Sequence, residues 1–224
     1  MSVVTEKEDV LTPLTIEDVV GAGPVMPVVV IDDPADAVPL ANALLDGGIR
    51  VIEVTLRTPR ALECVALIAG NCPGILVGVG SVRRPAEVEA AMAAGAQFLV
   101  TPGSPPTLLA ACDTSGLPTL PGAATATEML TLADRGYHVV KFFPAEQLGG
   151  VAALRALSGP LPGIRVCPTG GITPELTPAY LQLQTVPCIG ASWVTPPQAL
   201  RDADWGTVTR LARRAQTMAS PASG

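Results

Sequence analysis

Lysine is scarce in this chain. Of its 14 basic residues only Lys7 and Lys141 are lysines, and the remaining 12 are arginines. Arginine thus carries the ordinary surface charge, and a lysine outside the polar N-terminal stretch needs a specific reason. Histidine is scarcer still: His138 stands alone, so no histidine-rich metal site can form, and no Asp/Glu cluster at ligand spacing replaces one. Aromatics make up 3% of the chain, so the core is aliphatic, a composition suited to parallel strands covered on both faces. Charged residues reach only 15% against 48% hydrophobic, which excludes a disordered chain. The five cysteines (Cys64, Cys72, Cys112, Cys167 and Cys188) are odd in number and contain no C-x-x-C pair. That argues against a disulfide framework or a zinc site and for reduced cytoplasmic thiols. No apolar run reaches membrane-spanning length, and Met1 to Thr12 lacks the apolar core of a signal peptide. A net charge of −6 without a basic stripe excludes nucleic acid as a partner but leaves room for a small anionic metabolite.

What is present is a regular alternation. Short β-branched runs are expected as strands at 25–31, 50–55, 75–79, 97–100, 118–120, 138–141, 165–167 and 187–189. Helical stretches separate them, many opening at proline and closing at glycine, and a short helix over 15–22 precedes the first strand. Further helices at 197–200 and 205–218 close the chain. Eight strand–helix units in 224 residues predict an α/β fold, a single-domain (β/α)8 TIM barrel spanning 1–224, with flexible tails at 1–14 and 219–224. An open doubly wound sheet is the rival architecture, and the absence of G-x-G-x-x-G at the first helix weakens its dinucleotide-binding form.

In a barrel, chemistry sits at the C-terminal ends of the strands. There the sequence gathers Glu53 and Arg57, Gly80-Ser81, Thr101-Pro102-Gly103, Lys141, Thr169-Gly170-Gly171 and Gly190-Ala191-Ser192. Lys141 ends an apolar run, where poor solvation favours the neutral, nucleophilic amine that forms Schiff bases with ketones. The alternative is a lysine whose stem packs and whose head reaches water. Glu53 lies between Ile52 and Val54, either as a proton shuttle or as a buried carboxylate paired with Arg57 or Arg50. The planar fork of Arg57 suits a carboxylate, or simply the surface. Gly170-Gly171, read as leading into a helix from Pro174, offers backbone N–H groups to an anion, and Ser192 adds a hydroxyl from the next strand end. His138, the cysteines, Trp193 and Trp205 read as structural.

These segments resemble one family. Gly48-Ile49-Arg50-Val51-Ile52-Glu53-Val54-Thr55-Leu56-Arg57-Thr58 is similar to the active-site segment of the 2-keto-3-deoxy-6-phosphogluconate (KDPG) and 4-hydroxy-2-oxoglutarate (KHG) aldolases. Gly136-Tyr137-His138-Val139-Val140-Lys141-Phe142-Phe143-Pro144-Ala145-Glu146 resembles their Schiff-base segment. Pro168 to Ile172 and Cys188 to Trp193 resemble their phosphate loops. The likeness runs from about residue 25 to 215. It implies Lys141 as Schiff-base lysine and Glu53 as general acid/base. Arg57 and Ser81 are then expected on the pyruvate carboxylate, Pro102 and Phe143 flanking the pyruvyl group, and Thr169 on stereochemistry. Gly170, Gly171 and Ser192 are expected on the phosphate. It further implies a metal-independent lyase without cofactor and a homotrimer of barrels. The chain departs from the usual family pattern at Gly80-Ser81-Val82, where serine replaces threonine, and at Pro121-Gly122-Ala123-Ala124-Thr125, which is expected to widen the mouth.

Overall fold

The β-branched runs form strands, all of them parallel. A computed structural model describes residues 13–218. Its strands are β1 (Val25–Val29), β2 (Val51–Thr55), β3 (Leu76–Gly80), β4 (Phe98–Val100), β5 (Thr119–Leu120), β6 (Gly122–Ala123), β7 (Val139–Phe142), β8 (Arg165–Pro168) and β9 (Ile189–Ala191). Six of them pair in the order β5-β4-β3-β2-β1-β9, and β6-β7-β8 form a second ladder. The result is a curled parallel sheet in an α/β fold. Between β5 and β6 stands only Pro121, which has no N–H to give a ladder. The hydroxyl of Thr101 accepts from Gly122 N–H at 3.1 Å beside the break. A single parallel bridge, Thr169 to Gly190, links the end of β8 to β9.

The helices are α1 (Ile16–Gly21), α2 (Ala37–Asp46), α3 (Ala61–Asn71), α4 (Pro85–Ala93), α5 (Pro106–Ser115), α6 (Ala126–Asp134), α7 (Gly150–Ser158), α8 (Thr177–Leu181), α9 (Pro197–Arg201) and α10 (Trp205–Gln216). Their starts follow local chemistry. Proline occupies the first turn of α4, α5, α8 and α9, and complete capping boxes begin α1 (Thr15 with Asp18) and α6 (Thr125 with Glu128).

Strand alternation divides the apolar residues into two cores. Val29, Ile52, Val54, Val77, Val79, Val140 and Phe142 join the helices in the larger one. Met26, Val51, Phe98, Val100, Leu120, Val139, Cys167 and Cys188 form the second, interior core on the other face of the curled sheet, with Val19 and Val20 of α1 in the same cluster. In β3 the interior positions are Leu76, Gly78 and Gly80. A Cβ at Gly78 would lie 2.3 Å from the Phe98 ring, so this glycine makes room for the ring.

Two sequence expectations shift near the site. The eighth strand begins at Ile189 rather than Pro187, because pairing starts where Ile189 N–H donates to Pro24 C=O at 3.0 Å and Pro187 has no N–H to donate. The helix expected from Pro174 starts only at Thr177, after a turn in which Leu176 N–H donates to Thr173 C=O. Gly170-Gly171 therefore does not lead straight into a helix. The expected tails fall outside the described residues except for Pro13 and Leu14, and Leu14 packs on the interior core.

The α2–α10 contact supplies a stability test. A Cβ at Gly47 would sit 2.3 Å from the Ala212 methyl and 2.8 Å from the Thr209 carbonyl oxygen. Gly47→Ala is expected to lower unfolding stability by about 1–3 kcal/mol through overpacking, measured by urea melts. A variant as stable as the parent would show that the two helices separate freely.

Candidate functional site

Glu53 and Lys141 meet inside the strands from segments 88 residues apart. Lys141 Nζ stands 3.1 Å from Glu53 Oε1 and 3.4 Å from Oε2, and the two side chains are only 7% and 1% exposed. Alternation explains the meeting: Val51 and Val139 lie in the interior, so Glu53 and Lys141, two residues further on, point the same way. Space for the carboxylate comes from the neighbouring strand. A Cβ at Gly80 would lie 2.1 Å from Glu53 Oε1. Burial penalises both charges, and their pairing offsets that penalty. The Phe143 ring adds a cation–π contact, its centroid 5.5 Å from Nζ.

Phe143 also lines a cleft of about 510 Å³, together with Val28, Val30, Arg57, Gln147, Thr169 to Ile172, Gly190 to Ser192 and Pro197. Of the residues singled out from sequence, Arg57, Phe143, Thr169, Gly170, Gly171 and Ser192 thus converge on one concavity. Glu53 and Lys141 do not line it; Phe143, with Lys141 Nζ over its ring, joins the pair to the cleft. Ser81 and Pro102 do not line the cleft: Ser81 follows Gly80, and Pro102 is exposed beside Gly122. Ser81 adopts φ of 59°, a left-handed conformation uncommon for serine and concentrated at functional sites.

Gly170 and Gly171 have φ of 105° and 77°. At these angles an L side chain would be strained, and the bare positions let the segment after β7 come close: a Cβ at Gly170 would lie 3.2 Å from Pro144 Cα. Thr169 has room because Gly190 is bare: a Cβ there would lie 2.3 Å from Thr169 Oγ1. Glu53 pairs with neither Arg57 nor Arg50, the partners that its buried-carboxylate reading named. Among the described residues no cluster of three or more His, Cys, Asp or Glu is arranged to hold a metal, and no helix is long and apolar enough to cross a membrane.

A family model described as KDPG and KHG aldolase matches residues 16–211. The chain belongs to this aldolase family. Among curated relatives of this family member, 2-dehydro-3-deoxy-phosphogluconate aldolase from Dickeya dadantii is 46% identical over 89% of this chain and 93% of the relative. Among solved structures, KDPG aldolase from Legionella pneumophila superposes with a TM-score of 0.87 at 42% identity, covering 88% of this chain and 96% of that one. That structure holds pyruvate captured at low pH as a covalent carbinolamine intermediate. The Zymomonas mobilis 2-keto-3-deoxy-6-phosphogluconate aldolase, solved with 3-phosphoglycerate, gives a TM-score of 0.86 at 41% identity, covering 91% and 95%.

Sequence reasoning missed several features of this aldolase's cleft. Gln147, Val28, Val30 and Pro197 line it, yet none stood out by residue type. The two glycines of β3 carried a usable signal. In Leu-Val-Gly-Val-Gly every second residue after Leu76 lacks a side chain, which marks one face of the strand as the floor beneath something larger. A neighbouring cleft of about 320 Å³ shares Val28, Val30, Ser192 and Pro197 and adds Asp32, Asp33, Asp36 and Arg201. There, burial and then the Asp33 charge raise the Asp36 carboxyl above the usual carboxylate range.

Proposed function

We propose that this chain is a class I aldolase that reversibly cleaves KDPG to pyruvate and glyceraldehyde 3-phosphate through a Schiff base on Lys141. The observation that carries this reading is the buried contact of Lys141 Nζ with Glu53, 3.1 Å long, next to Phe143 of a cleft whose lining includes the Gly170-Gly171 turn. The family, the Legionella relative with its covalent pyruvate carbinolamine and the Zymomonas relative with 3-phosphoglycerate support it. The architecture is read as one closed (β/α)8 barrel. Pro121 alone interrupts the strand made by β5 and β6, and the Thr169–Gly190 bridge joins β8 to β9.

In this reading the phosphate sits at Gly170, Gly171 and Ser192, and the carboxylate at Arg57 and Ser81. Clamping both ends holds the C2 ketone at Lys141. Pro102 and Phe143 flank the pyruvyl group, and Thr169 faces the stereocentre. The amine adds to C2, Glu53 relays protons, and water leaves to give a cationic imine. Glu53 then takes the C4 hydroxyl proton and the C3–C4 bond breaks, its electron pair drawn into the iminium. Glyceraldehyde 3-phosphate departs. The enamine is protonated at C3, and water releases pyruvate and the free amine. The iminium serves as the electron sink, so the reaction needs neither metal nor cofactor. Cytoplasmic location and a homotrimer belong to the same reading, supported by composition and by the family resemblance respectively.

The family name also covers KHG, whose dicarboxylate skeleton lacks a phosphate. Side-by-side kinetics separate the two. With a phosphate site at the turn, kcat/KM for KDPG is expected to exceed that for KHG by about a hundredfold, the equivalent of about one or two charge-assisted hydrogen bonds. Equal values would remove the phosphate assignment and favour KHG. Turnover of neither would leave the same chemistry on the 6-phosphogalactonate epimer, or a non-covalent sugar-phosphate isomerase or epimerase barrel.

A further inference from the structure

We infer that Tyr180 and Glu146 form a positioning pair that locks the Gly170-Gly171 turn against the Lys141 strand and so sets the affinity for the phosphorylated end of the substrate. The inference rests on the reading of that turn as the phosphate site.

Glu146 lies just after β7, five residues beyond Lys141. Its N–H donates to Gly170 C=O at 3.1 Å, and Ala145 N–H donates to Thr169 C=O at 2.8 Å. The side chain then runs directly under the second glycine, where a Cβ at Gly171 would lie 2.8 Å from Glu146 Cβ. Its carboxylate accepts a hydrogen bond from the Tyr180 hydroxyl. Tyr180 belongs to α8, the first helix after the turn, and is fully buried. Gly150 lies against the same pair. A Cβ at Gly150 would meet Glu146 Oε1 at 2.9 Å and the Tyr180 hydroxyl at 3.0 Å.

The turn is therefore tied twice to the segment that follows Lys141. Backbone bonds hold its near side, and the tyrosine–glutamate bond holds the chain that leaves it. Between the turn and α8 the chain is shaped by its own turn, in which Leu176 and Thr177 N–H donate to Thr173 C=O, and the tyrosine–glutamate bond ties that stretch across to the segment after Lys141. It also manages charge. An unpartnered carboxylate beside an anion site would repel phosphate, whereas one accepting from a buried hydroxyl is held beneath the turn. Burial and then the bond to Glu146 raise the tyrosine above its ordinary range, so it remains a donor throughout neutral pH.

Tyr180→Phe removes one oxygen and keeps the ring. KM and kcat for KDPG and for KHG, pyruvate trapping with borohydride and the melting temperature are measured for this variant and the parent. The expected result is a rise of about tenfold in KM for KDPG, equivalent to one lost hydrogen bond. Its kcat should stay within about twofold, and KM for KHG and the trapping rate should be unchanged. Glu146→Gln keeps an acceptor for the hydroxyl and should stay within about threefold of the parent in KM for KDPG. An unchanged KM for KDPG in Tyr180→Phe, or an equal rise for both substrates, overturns the inference. Should Tyr180→Phe fail to fold, Glu146→Ala is put through the same comparison and judged by the same outcomes. A parent enzyme with no preference for the phosphorylated substrate would instead strike the phosphate reading, and this inference with it.

Discussion

Lys141→Ala is expected to abolish aldol cleavage, with turnover falling by at least about 10⁴-fold, as when the nucleophile is removed from other covalent enzymes. Pyruvate plus borohydride should add one reduced pyruvyl group to the parent protein, on the peptide that contains Lys141, and nothing to the variant. The buried pairing makes a control necessary. Glu53 is 1% exposed, and removing its partner leaves an uncompensated buried charge, at a cost of about 3–5 kcal/mol in stability. Lys141→Arg separates the two effects, because the guanidinium keeps the positive charge but is not a nucleophile at neutral pH. It should be folded and equally inactive. A pyruvyl adduct on any other residue, or turnover near the parent value in either variant, would sink the Schiff-base mechanism.

Glu53→Gln should lower kcat by about 10²–10⁴-fold with little change in KM, the range expected when a general acid/base is lost. The amide matches the carboxylate in shape, fits the space left by Gly80 and still offers Lys141 an oxygen, so binding and fold should survive. It cannot carry protons for the loss of water from the carbinolamine or for C3–C4 cleavage. Solvent exchange at the methyl group of pyruvate, which needs the same proton shuttle but no aldehyde, should fall in parallel. If kcat stays within about tenfold of the parent, Glu53 merely neutralises the lysine and another group moves the proton.

Most of the strand–helix order was legible in the sequence because its signals are local. Proline at helix starts, glycine at helix ends and β-branched runs such as Val51 to Thr55 each act over a few residues. The discrepancies arise where the deciding contact is remote. Nothing near Ile189 announces that its ladder begins at the Pro24 carbonyl, and nothing near Pro121 shows that Thr101 bonds beside the interruption. The site divides in the same way. Lys141 stood out through the scarcity of lysine, and Gly170-Gly171 through its position after the seventh strand. That Glu53 would pair with Lys141 rather than with Arg50 or Arg57 depends on which strands face each other across the interior. The resemblance placed both residues in one active site, and local pattern did not say which partner Glu53 would touch. The roles of Tyr180, Glu146 and Gln147 lay beyond both, because each depends on the path of a loop.

The alternation in β7 has a last consequence. Val139 and Lys141 face inward while Val140 and Phe142 face the helices. A slip of one residue in the pairing of this strand would carry the amine out among the helices and put a methyl-bearing or aromatic side chain against Glu53. No intermediate alignment keeps part of the chemistry. Molecules in a refolding mixture thus divide into competent and inert populations, and an active-site titration counts the fraction whose β7 has paired in the correct register.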